Sequence, residues 1–476
     1  MKNIYLSTQI KSIDSLAAKY LNINSYELMQ LAGQSIYAYI QQFKNILVVT
    51  GAGNNAGDGY VIANLARKQG KKVVVWNLIA PKDLPIDAKK AANTYLDSGG
   101  KLTDDIMEGD YDCIVDAIFG TGLCRDIIGK FAEAVNWINN QNLTTVSVDI
   151  PSGLEADTGN VMGCVIKADI TVAVICYKIG LVTNNGKELC GVLYCEDLDV
   201  PAQTFQKMKA NICLLDQSDI NLKRLTRQHN SHKGIFGSVV IAGGHDGMLG
   251  ALILSGRAAL RSGCGLVEVV SNNEQAVMIS VHCPELMTAT SIKGSRLMEK
   301  ADVIAVGPGL GLNSVSKQVL QYCIKQNKPM VIDADALTLI ADNYQFNNDV
   351  VLTPHPKEAA TLLNTDVNSI QNNRVVAAQN ISKKYKTVTV LKGSGTVISD
   401  TNGNVYISPF GYAGMATAGM GDVLTGMVVS LMGQGFSCLH AAITAVLWHA
   451  IAAENCHKGN GLIATDVIQQ LPQEIM

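Results

Sequence analysis

Residues 411–435 read GYAGMATAGMGDVLTGMVVSLMGQG, and this stretch decides how the C-terminal half of the chain folds. Gly414, Gly419, Gly421 and Gly426 surround Asp422, and an apolar helical pattern starts immediately after the aspartate. The first amide groups of a helix lack partners within the helix and carry partial positive charge. The stretch therefore predicts a turn into a buried helix, with an anion site beside the Asp422 carboxylate.

This arrangement suits phosphoryl transfer. The free amides can stabilise charge on the moving phosphoryl group while Asp422 accepts a proton from an attacking hydroxyl. The alternative is that Asp422 only caps the helix, which would be worth roughly 1 kcal/mol. A cap does not need four flanking glycines, so we favour the chemical role.

Other loops of this half fit a nucleotide site. Residues 391–396, LKGSGT, end a strand with a lysine and two glycines, which can hold phosphate through amides and an ammonium charge. The glycine turns at 305–311, AVGPGLG, and 247–251, GMLGA, allow a bulky ligand to approach closely. In 352–358, LTPHPKE, a turn between two prolines directs His355 to the strand-end face, with a plain surface histidine as the alternative.

Short β-branched runs alternate with helical patterns along the whole chain, which predicts an α/β fold with mostly parallel sheets. The first series lies at residues 46–49, 72–76, 113–117, 145–149 and 170–175. The second lies at 238–242, 266–270, 303–306, 330–333, 350–352, 387–391 and 405–407. Between them the pattern weakens, and a chain of 476 residues exceeds one core. We predict two domains, residues 1–212 and 213–476.

The first strand of the N-terminal domain runs into the loop GAGNNAGDG, residues 51–59, and then into a helix. Amides at such a turn form a natural phosphate site. Ala56 replaces the last glycine of the GxGxxG dinucleotide pattern, and Trp76 and Asn77 stand where its ribose-binding acid is expected. A simple dehydrogenase is thus disfavoured. A turn that only packs helix on sheet is the alternative, which Asn54, Asn55 and Asp58 oppose.

Two further strand ends carry polar groups, DAIFGTGLCRD at 116–126 and SVDIPSG at 147–153. The carboxyl ends of neighbouring parallel strands share one crevice, so these loops should converge on the glycine loop. Every histidine lies at or beyond His229, so Asp149 is the best candidate for proton transfer, with capping of the next helix as the alternative. Asp116, Asn55 and Ser152 offer only oxygen ligands and suit an alkali or alkaline-earth cation rather than zinc.

Composition excludes several classes of protein. The net charge of -3 and the absence of a dense Lys/Arg run disfavour nucleic-acid binding. Twelve scattered cysteines without a CxxC pair predict reduced thiols. The N-terminus lacks the apolar run of a signal peptide, and the most apolar segment, 437–453, is too short to cross a bilayer. We expect a cytoplasmic homo-oligomer without a membrane partner.

The motifs together resemble a known family. The first half resembles NAD(P)H-hydrate epimerases through GAGNNAGDG, DAIFGTG and VDIPSG. The second half resembles ADP-dependent NAD(P)H-hydrate dehydratases of the ribokinase-like superfamily through HKGIFG, GPGLG, DADAL, LTPHPKE, LKGSGT and GMATAGMGDVLTG. The resemblance covers nearly the whole chain in one order. It implies a Rossmann-like, three-layer N-terminal domain with a parallel sheet and a ribokinase-like α/β C-terminal domain.

The resemblance also implies the site residues. In the first half, the hydrated nicotinamide nucleotide would contact Asn54, Asn55, Ala56, Gly57, Asp58, Gly120, Thr121, Gly122, Leu123, Cys124, Arg125, Asp126 and Asp149. Potassium would be bound by Asn55, Asp116 and Ser152. In the second half, the hydrate would contact Ala251, Gly309, His355 and Asp422. The adenine nucleotide would be held by Lys392, Gly393, Ser394, Gly395, Thr396 and Gly421.

The implied reaction is repair of hydrated NADH and NADPH, with Asp149 and Asp422 as catalytic residues. The first domain would interconvert the R and S hydrates at C6. The second would use ADP as co-substrate, with Mg²⁺, to dehydrate the S hydrate. Ala52, Ala56 and Met420 depart from the family's usual residues, which affects loop geometry. The alternative is a small-molecule kinase fused to a nucleotide-binding or partner-binding domain.

Overall fold

The computed structural model describes residues 1–105, 109–208, 210–221, 226–341 and 344–474. The chain divides into two compact units. Asn3–Ile212 forms the N-terminal unit, and Cys213–Met476 together with Met1–Lys2 forms the C-terminal unit.

The N-terminal unit contains a seven-stranded sheet in which all neighbouring strands are parallel. Its order is β4-β3-β2-β5-β6-β7-β8. The strands are β2 (Asn45–Thr50), β3 (Lys72–Asn77), β4 (Lys101–Thr103), β5 (Cys113–Ala117), β6 (Thr144–Val148), β7 (Ile170–Val174) and β8 (Val192–Glu196). The helices are α1 (Ser7–Leu21), α2 (Ser25–Tyr37), α3 (Asn54–Lys68), α4 (Ile86–Asp97), α5 (Lys130–Asn139), α6 (Ile179–Val182), α7 (Gly186–Leu189) and α8 (Gln203–Gln206).

Each face of this sheet has its own core. On one face, α2, α3 and α4 pack on alternate strand residues, among them Val48, Val75 and Val115. On the other face, α5 covers Leu47, Val49 and Ile114. A sheet buried on both faces explains why its strands are apolar runs rather than alternating patterns. The chain reverses direction between β2 and β5, so a crevice is expected at their carboxyl ends.

The second sheet has eleven strands in the order β1-β9-β18-β17-β16-β15-β14-β13-β10-β11-β12, and all of them except parts of β1 and β9 belong to the C-terminal unit. The strands are β1 (Lys2–Ile4), β9 (Ile212–Leu214), β10 (Ser238–Ala242), β11 (Leu266–Val270), β12 (Met287–Ala289), β13 (Val303–Val306), β14 (Met330–Ile332), β15 (Val350–Leu352), β16 (Val388–Leu391), β17 (Val397–Ser399) and β18 (Val405–Ile407). Neighbours from β12 to β16 pair in parallel, whereas β16, β17 and β18 pair antiparallel. The switch in chain direction lies between β10 and β13.

Ten helices accompany this sheet in the described residues of the unit. They are α9 (Leu249–Arg261), α10 (Asn273–His282), α11 (Ser314–Lys325), α12 (Asp335–Leu339), α13 (Pro356–Leu363), α14 (Val367–Asn372), α15 (Arg374–Tyr385), α16 (Met420–Gly433), α17 (Cys438–Asn455) and α18 (Ala464–Gln470). Helix α16 is apolar around most of its circumference, as expected of a helix buried on all sides. A Cβ at Gly426 would collide with the Ser255 carbonyl oxygen, so only glycine allows α16 to pack this close to α9.

The predicted strand series is confirmed, with shifts at some ends. The strands predicted at 145–149 and 330–333 end one residue earlier, at Val148 and Ile332. Asp149 leaves its strand because its backbone has φ +67°, a left-handed conformation. Six strands were not predicted, namely β1, β4, β8, β9, β12 and β17. Four of the six, β1, β4, β8 and β12, lie at sheet edges.

Candidate active sites

The N-terminal site lies at the carboxyl ends of β2, β5 and β6. Asn54 and Asp58 lie in the first turns of α3, directly after the β2 loop. Gly120 follows β5, and its Cβ position would be 3.5 Å from the Cβ atom of Asn55, so these two predicted loops meet. Asp149 follows β6, where its backbone amide donates to Val172 O at 2.9 Å. The topology therefore brings the three predicted loops to one edge.

Asp149 is held by two contacts. Its Oδ1 atom accepts a hydrogen bond from the Val174 amide at 2.9 Å and forms an ion pair with the Lys178 ammonium. Lys178 is 1% exposed and also donates to Val174 O at 2.9 Å. No helix begins directly after Asp149, since the next one along the chain is α6 at Ile179, so the alternative that Asp149 caps a helix is wrong.

Two more carboxylates face this ion pair, Asp58 and Asp14. Burial raises the pKa of Asp58 well above its ordinary value, and the charges of Asp149 and Asp14 add to the effect. Burial also raises the pKa of Asp14 to about 6, with Lys178 opposing. The site thus combines a carboxylate paired with an ammonium and a neighbouring carboxyl group that favours the protonated form. Sequence reasoning missed Lys178 and Asp14, because neither belongs to a glycine-rich motif.

The Asp116 carboxylate is buried and surrounded by hydrogen-bond donors. Ser152 Oγ donates to it at 2.5 Å, the Ser152 amide at 2.8 Å and Ser147 Oγ at 2.8 Å. Burial raises the pKa of Asp116, and these hydrogen bonds oppose the shift. Within the described ranges, no lysine or arginine pairs with it. A buried carboxylate without a positive partner, beside the hydroxyl oxygens of Ser147 and Ser152, fits a monovalent cation.

The rest of the predicted 120–126 segment forms a largely exposed loop. Cys124, Arg125 and Asp126 are exposed, and Gly122 has open space around its Cβ position. Leu123 packs against the α5 core instead. None of the residues of this loop forms a hydrogen bond with Asp149 or Asp116.

The C-terminal site is built around the start of α16. The N-cap is Gly419, with φ +89°, and Asp422 lies in the first turn at the third helical position. The alternative that Asp422 is the N-cap is therefore wrong. Lys392, at the end of β16, lies close by, since a Cβ at Gly421 would be 3.3 Å from its Nζ atom.

Lys392 is shared between two other carboxylates. Its Nζ atom lies 2.8 Å from Asp333 Oδ1 and 3.7 Å from Glu358 Oε2. Thr425 Oγ1, one turn after Asp422, donates to Asp333 Oδ2 at 2.6 Å. Although burial opposes the shift, the Lys392 ammonium lowers the pKa of Asp333. Asp333 is thus the charged partner of this lysine.

Asp422 titrates near neutrality. Burial raises its pKa to about 7, Asp333 and Glu358 add to the shift, and Lys392 opposes it. Burial also raises the pKa of Glu358 to about 7, and Lys392 opposes that shift too. A group whose pKa lies near working pH is well placed to accept a proton. Asp333 lies in the quoted motif DADAL and Glu358 in LTPHPKE, so a signal existed for both, although neither was assigned a role.

Other predicted residues of this half also meet. A Cβ at Gly309, where φ is +58°, would lie 3.4 Å from the Cβ atom of Ala251. His355 caps α13, because its Nδ1 atom accepts hydrogen bonds from the amides of Lys357 and Glu358 at 3.1 and 3.2 Å. In the 392–396 loop, Gly393 and Ser394 are exposed, and Thr396 Oγ1 donates to Gly393 O at 3.1 Å.

In the described parts of the chain, no group of three or more His, Cys, Asp or Glu side chains is arranged to hold a metal ion. None of the helices in those ranges combines the length and apolar character needed to span a bilayer.

Comparisons with known proteins identify the family. The model of the family described as NAD(P)H-hydrate dehydratase matches residues 239–474, and that of the YjeF-related protein N-terminus matches residues 25–180. The bifunctional NAD(P)H-hydrate repair enzyme Nnr of Escherichia coli is 37% identical over 98% of this chain and 93% of its own length. The chain belongs to the bifunctional NAD(P)H-hydrate repair enzyme family.

Further relatives of the repair enzyme family agree. The bifunctional NAD(P)H-hydrate repair enzyme Nnr of Coxiella burnetii is 35% identical over 99% of both chains. Among solved structures, a ribokinase-like superfamily protein of Enterococcus faecalis is 28% identical, with a TM-score of 0.51, and covers 56% of this chain and 96% of its own. The ribokinase-like fold predicted for the second half is thereby confirmed.

Proposed function

We propose that this chain restores NADH and NADPH from their C6 hydrates, with an epimerase site in the N-terminal unit and an ADP-dependent dehydratase site in the C-terminal unit. The observation that carries the proposal is Asp422. It lies in the first turn of a glycine-flanked helix, with a pKa raised to about 7 and Lys392 nearby. These are a base and an anion site placed side by side.

In the dehydratase step, Asp422 takes the proton of the C6 hydroxyl, and the oxygen attacks the terminal phosphoryl group of ADP. AMP leaves, and the nucleotide carries a phosphate ester at C6. The lone pair of N1 then expels phosphate, and loss of a C5 proton restores the C5=C6 double bond. Lys392 and the amides at the start of α16 stabilise phosphoryl charge, and the 392–396 loop holds the donor.

In the epimerase step, Asp149 removes the C6 hydroxyl proton. The C6–N1 bond breaks to leave an aldehyde at C6, and a carboxyl group returns a proton to N1. Asp58 suits this second role, because burial raises its pKa well above its ordinary value. Rotation about the C5–C6 bond and closure on the other face reverse the two proton transfers and invert C6.

The two implied ions would be bound in different ways. Asn55, Asp116 and Ser152 would hold K⁺, which would compensate the buried Asp116 charge and fix the loops around the substrate. Mg²⁺ would accompany the phosphates of ADP and neutralise their charge, held mainly by phosphate oxygens and water, since the described side chains form no acidic metal cluster. We propose in addition that the hydrate and the adenine nucleotide contact the residues that the family resemblance implies for each of them.

The deciding experiment supplies the full-length protein with mixed R and S hydrates and either ADP or ATP. With ADP, we expect near-ultraviolet dihydropyridine absorbance to recover for both epimers, with one AMP and one phosphate released per nucleotide repaired. A stable phosphorylated product without recovered absorbance would instead establish the small-molecule kinase alternative. If only the S hydrate is consumed, the epimerase assignment fails while the dehydratase assignment stands.

A further inference from the structure

A buried arginine lies beneath the proposed phosphate loop. Arg374 is the first residue of α15 and is 2% exposed. Its Nη2 atom donates to the carbonyl oxygens of Leu391 and Lys392, both at 3.2 Å, and its Nη1 atom donates to Gln371 Oε1 at 2.7 Å. The guanidinium therefore holds the backbone at the point where β16 enters the loop.

This positive charge has no compensating carboxylate in the described chain. No ion pair of those residues includes Arg374, and its Nε atom is buried without a hydrogen-bond partner. Burial lowers the pKa of Arg374 to about 10, which leaves the group protonated at neutral pH. An unpaired buried charge is costly to a folded protein, so its presence calls for a source of negative charge.

The geometry of the loop directs that charge toward an anion. Gly393 has φ +140°, and a Cβ there would lie 2.8 Å from both Nη1 and Nη2 of Arg374. The guanidinium thus lies directly against the backbone of Gly393, and both Gly393 and Ser394 are exposed. Arg374 is itself buried, so its field reaches a ligand at the loop through the loop backbone rather than through bulk water.

We propose that Arg374 is a positioning residue for the nucleoside diphosphate, fixing the backbone of the 392–396 loop and supplying the buried charge that the incoming phosphates compensate. This inference rests on the proposed function, because it takes the loop as the ADP site. It adds a residue that acts through backbone carbonyls rather than by touching ADP. Its loss weakens nucleotide binding and leaves the chemistry at Asp422 in place.

The test measures ADP binding to the full-length protein by titration calorimetry, together with kcat and KM for ADP in the dehydration assay. We expect Arg374→Met to raise the Kd and KM for ADP about tenfold, with kcat at saturating ADP within about twofold of wild type. Arg374→Lys keeps the charge and should remain within about threefold. The increase in Tm on adding ADP should be largest for wild type, smaller for Arg374→Lys and smallest for Arg374→Met.

The matched control is Arg227→Met. Arg227 also donates to a backbone carbonyl, that of Gly263 at 2.8 Å, and packs on Phe236, but it is exposed and makes no contact with the loop. Its ADP affinity should equal that of wild type. If Arg374→Met does not fold, the ADP affinities of Arg374→Lys and Gln371→Leu are compared with that of wild type instead. Gln371→Leu removes the acceptor of the Arg374 Nη1 hydrogen bond.

Wild-type ADP affinity in Arg374→Met, with only a lower Tm, would overturn the inference, because a purely structural residue changes stability and not the Kd. The same conclusion would follow if Arg374→Lys lost as much affinity as Arg374→Met. The proposed function fails on a different readout: the wild-type protein would bind ADP, weakened in Arg374→Met, yet recover no reduced nicotinamide.

Discussion

The two candidate sites use the same pair of residue types, aspartate and lysine, in different arrangements. In the N-terminal unit, Lys178 forms an ion pair with Asp149. In the C-terminal unit, Lys392 lies 2.8 Å from Asp333 and 3.7 Å from Glu358, and the pKa values of Asp422 and Glu358 are both raised to about 7. Only Asp333, the direct partner of Lys392, has its pKa lowered among these three carboxylates.

This difference matches the two proposed reactions. Asp149 needs to be ionised and oriented to remove a hydroxyl proton while a neighbouring acid returns one. Asp422 needs to accept a proton as phosphoryl transfer proceeds and to release it afterwards, which suits a pKa near neutrality. The following changes test the comparison, from the largest expected effect to the smallest.

Asp422→Asn should have the largest effect. Dehydration of the S hydrate should fall roughly 10²- to 10⁴-fold, because the general base is lost while the helix start is unchanged. Interconversion of the epimers should be unaffected. Recovery of absorbance measures the first reaction, and chromatographic separation of the hydrates measures the second. A dehydration rate within twofold of wild type would remove the catalytic role of Asp422.

Lys178→Met should slow epimer interconversion and destabilise the protein by about 3 kcal/mol, because it leaves the buried side of Asp149 without its partner. Asp149→Asn should slow epimer interconversion at least as much. The double variant should regain much of the lost stability, since both charges are removed together, but no activity. Chemical denaturation and epimer exchange measure these effects.

Lys167→Met is the control for this series, because Lys167 is an exposed lysine of the same unit. It should behave like wild type in both measurements. Normal epimer exchange in Lys178→Met would show that the ion pair with Asp149 plays no part in the reaction.

The pH dependence of dehydration should report Asp422. Because its pKa is raised to about 7, the base is protonated below that pH, and kcat/KM should fall about tenfold per unit as the pH drops below 7. Above pH 7, kcat/KM should reach a plateau. Stopped-flow rates in buffers of constant ionic strength measure it, and a flat profile from pH 5 to 8 would contradict the assignment.

His355→Ala should have the smallest effect, a loss of about 1 kcal/mol in the free energy of unfolding, because the N-cap of α13 is removed. Asn is a good N-cap, so His355→Asn should keep wild-type stability. The two variants separate capping from the proposed contact with the hydrate. If contact matters, both should raise the KM for the hydrate by a similar factor.

Much of the fold could be predicted from the sequence, because its signals are local. The strands β5, β10, β11, β13, β15 and β18 were predicted with the bounds observed. None of them lies at an edge of its sheet, and burial on both faces favours an apolar, β-branched run in such strands. Strands such as β4 and β12 have three residues each, and their stability comes from the neighbouring strand rather than from their own pattern.

The sequence by itself determined the two α/β series, the glycine-rich strand ends and the aspartates that follow them, because turn geometry and hydrophobic periodicity depend on neighbouring residues. Only the tertiary structure decided that Lys178 pairs with Asp149, that Lys392 pairs with Asp333, and that Arg374 has no pairing carboxylate among the residues that the structure describes. Charge interactions depend on distance and burial in three dimensions, and these partners are separated by tens of residues along the chain.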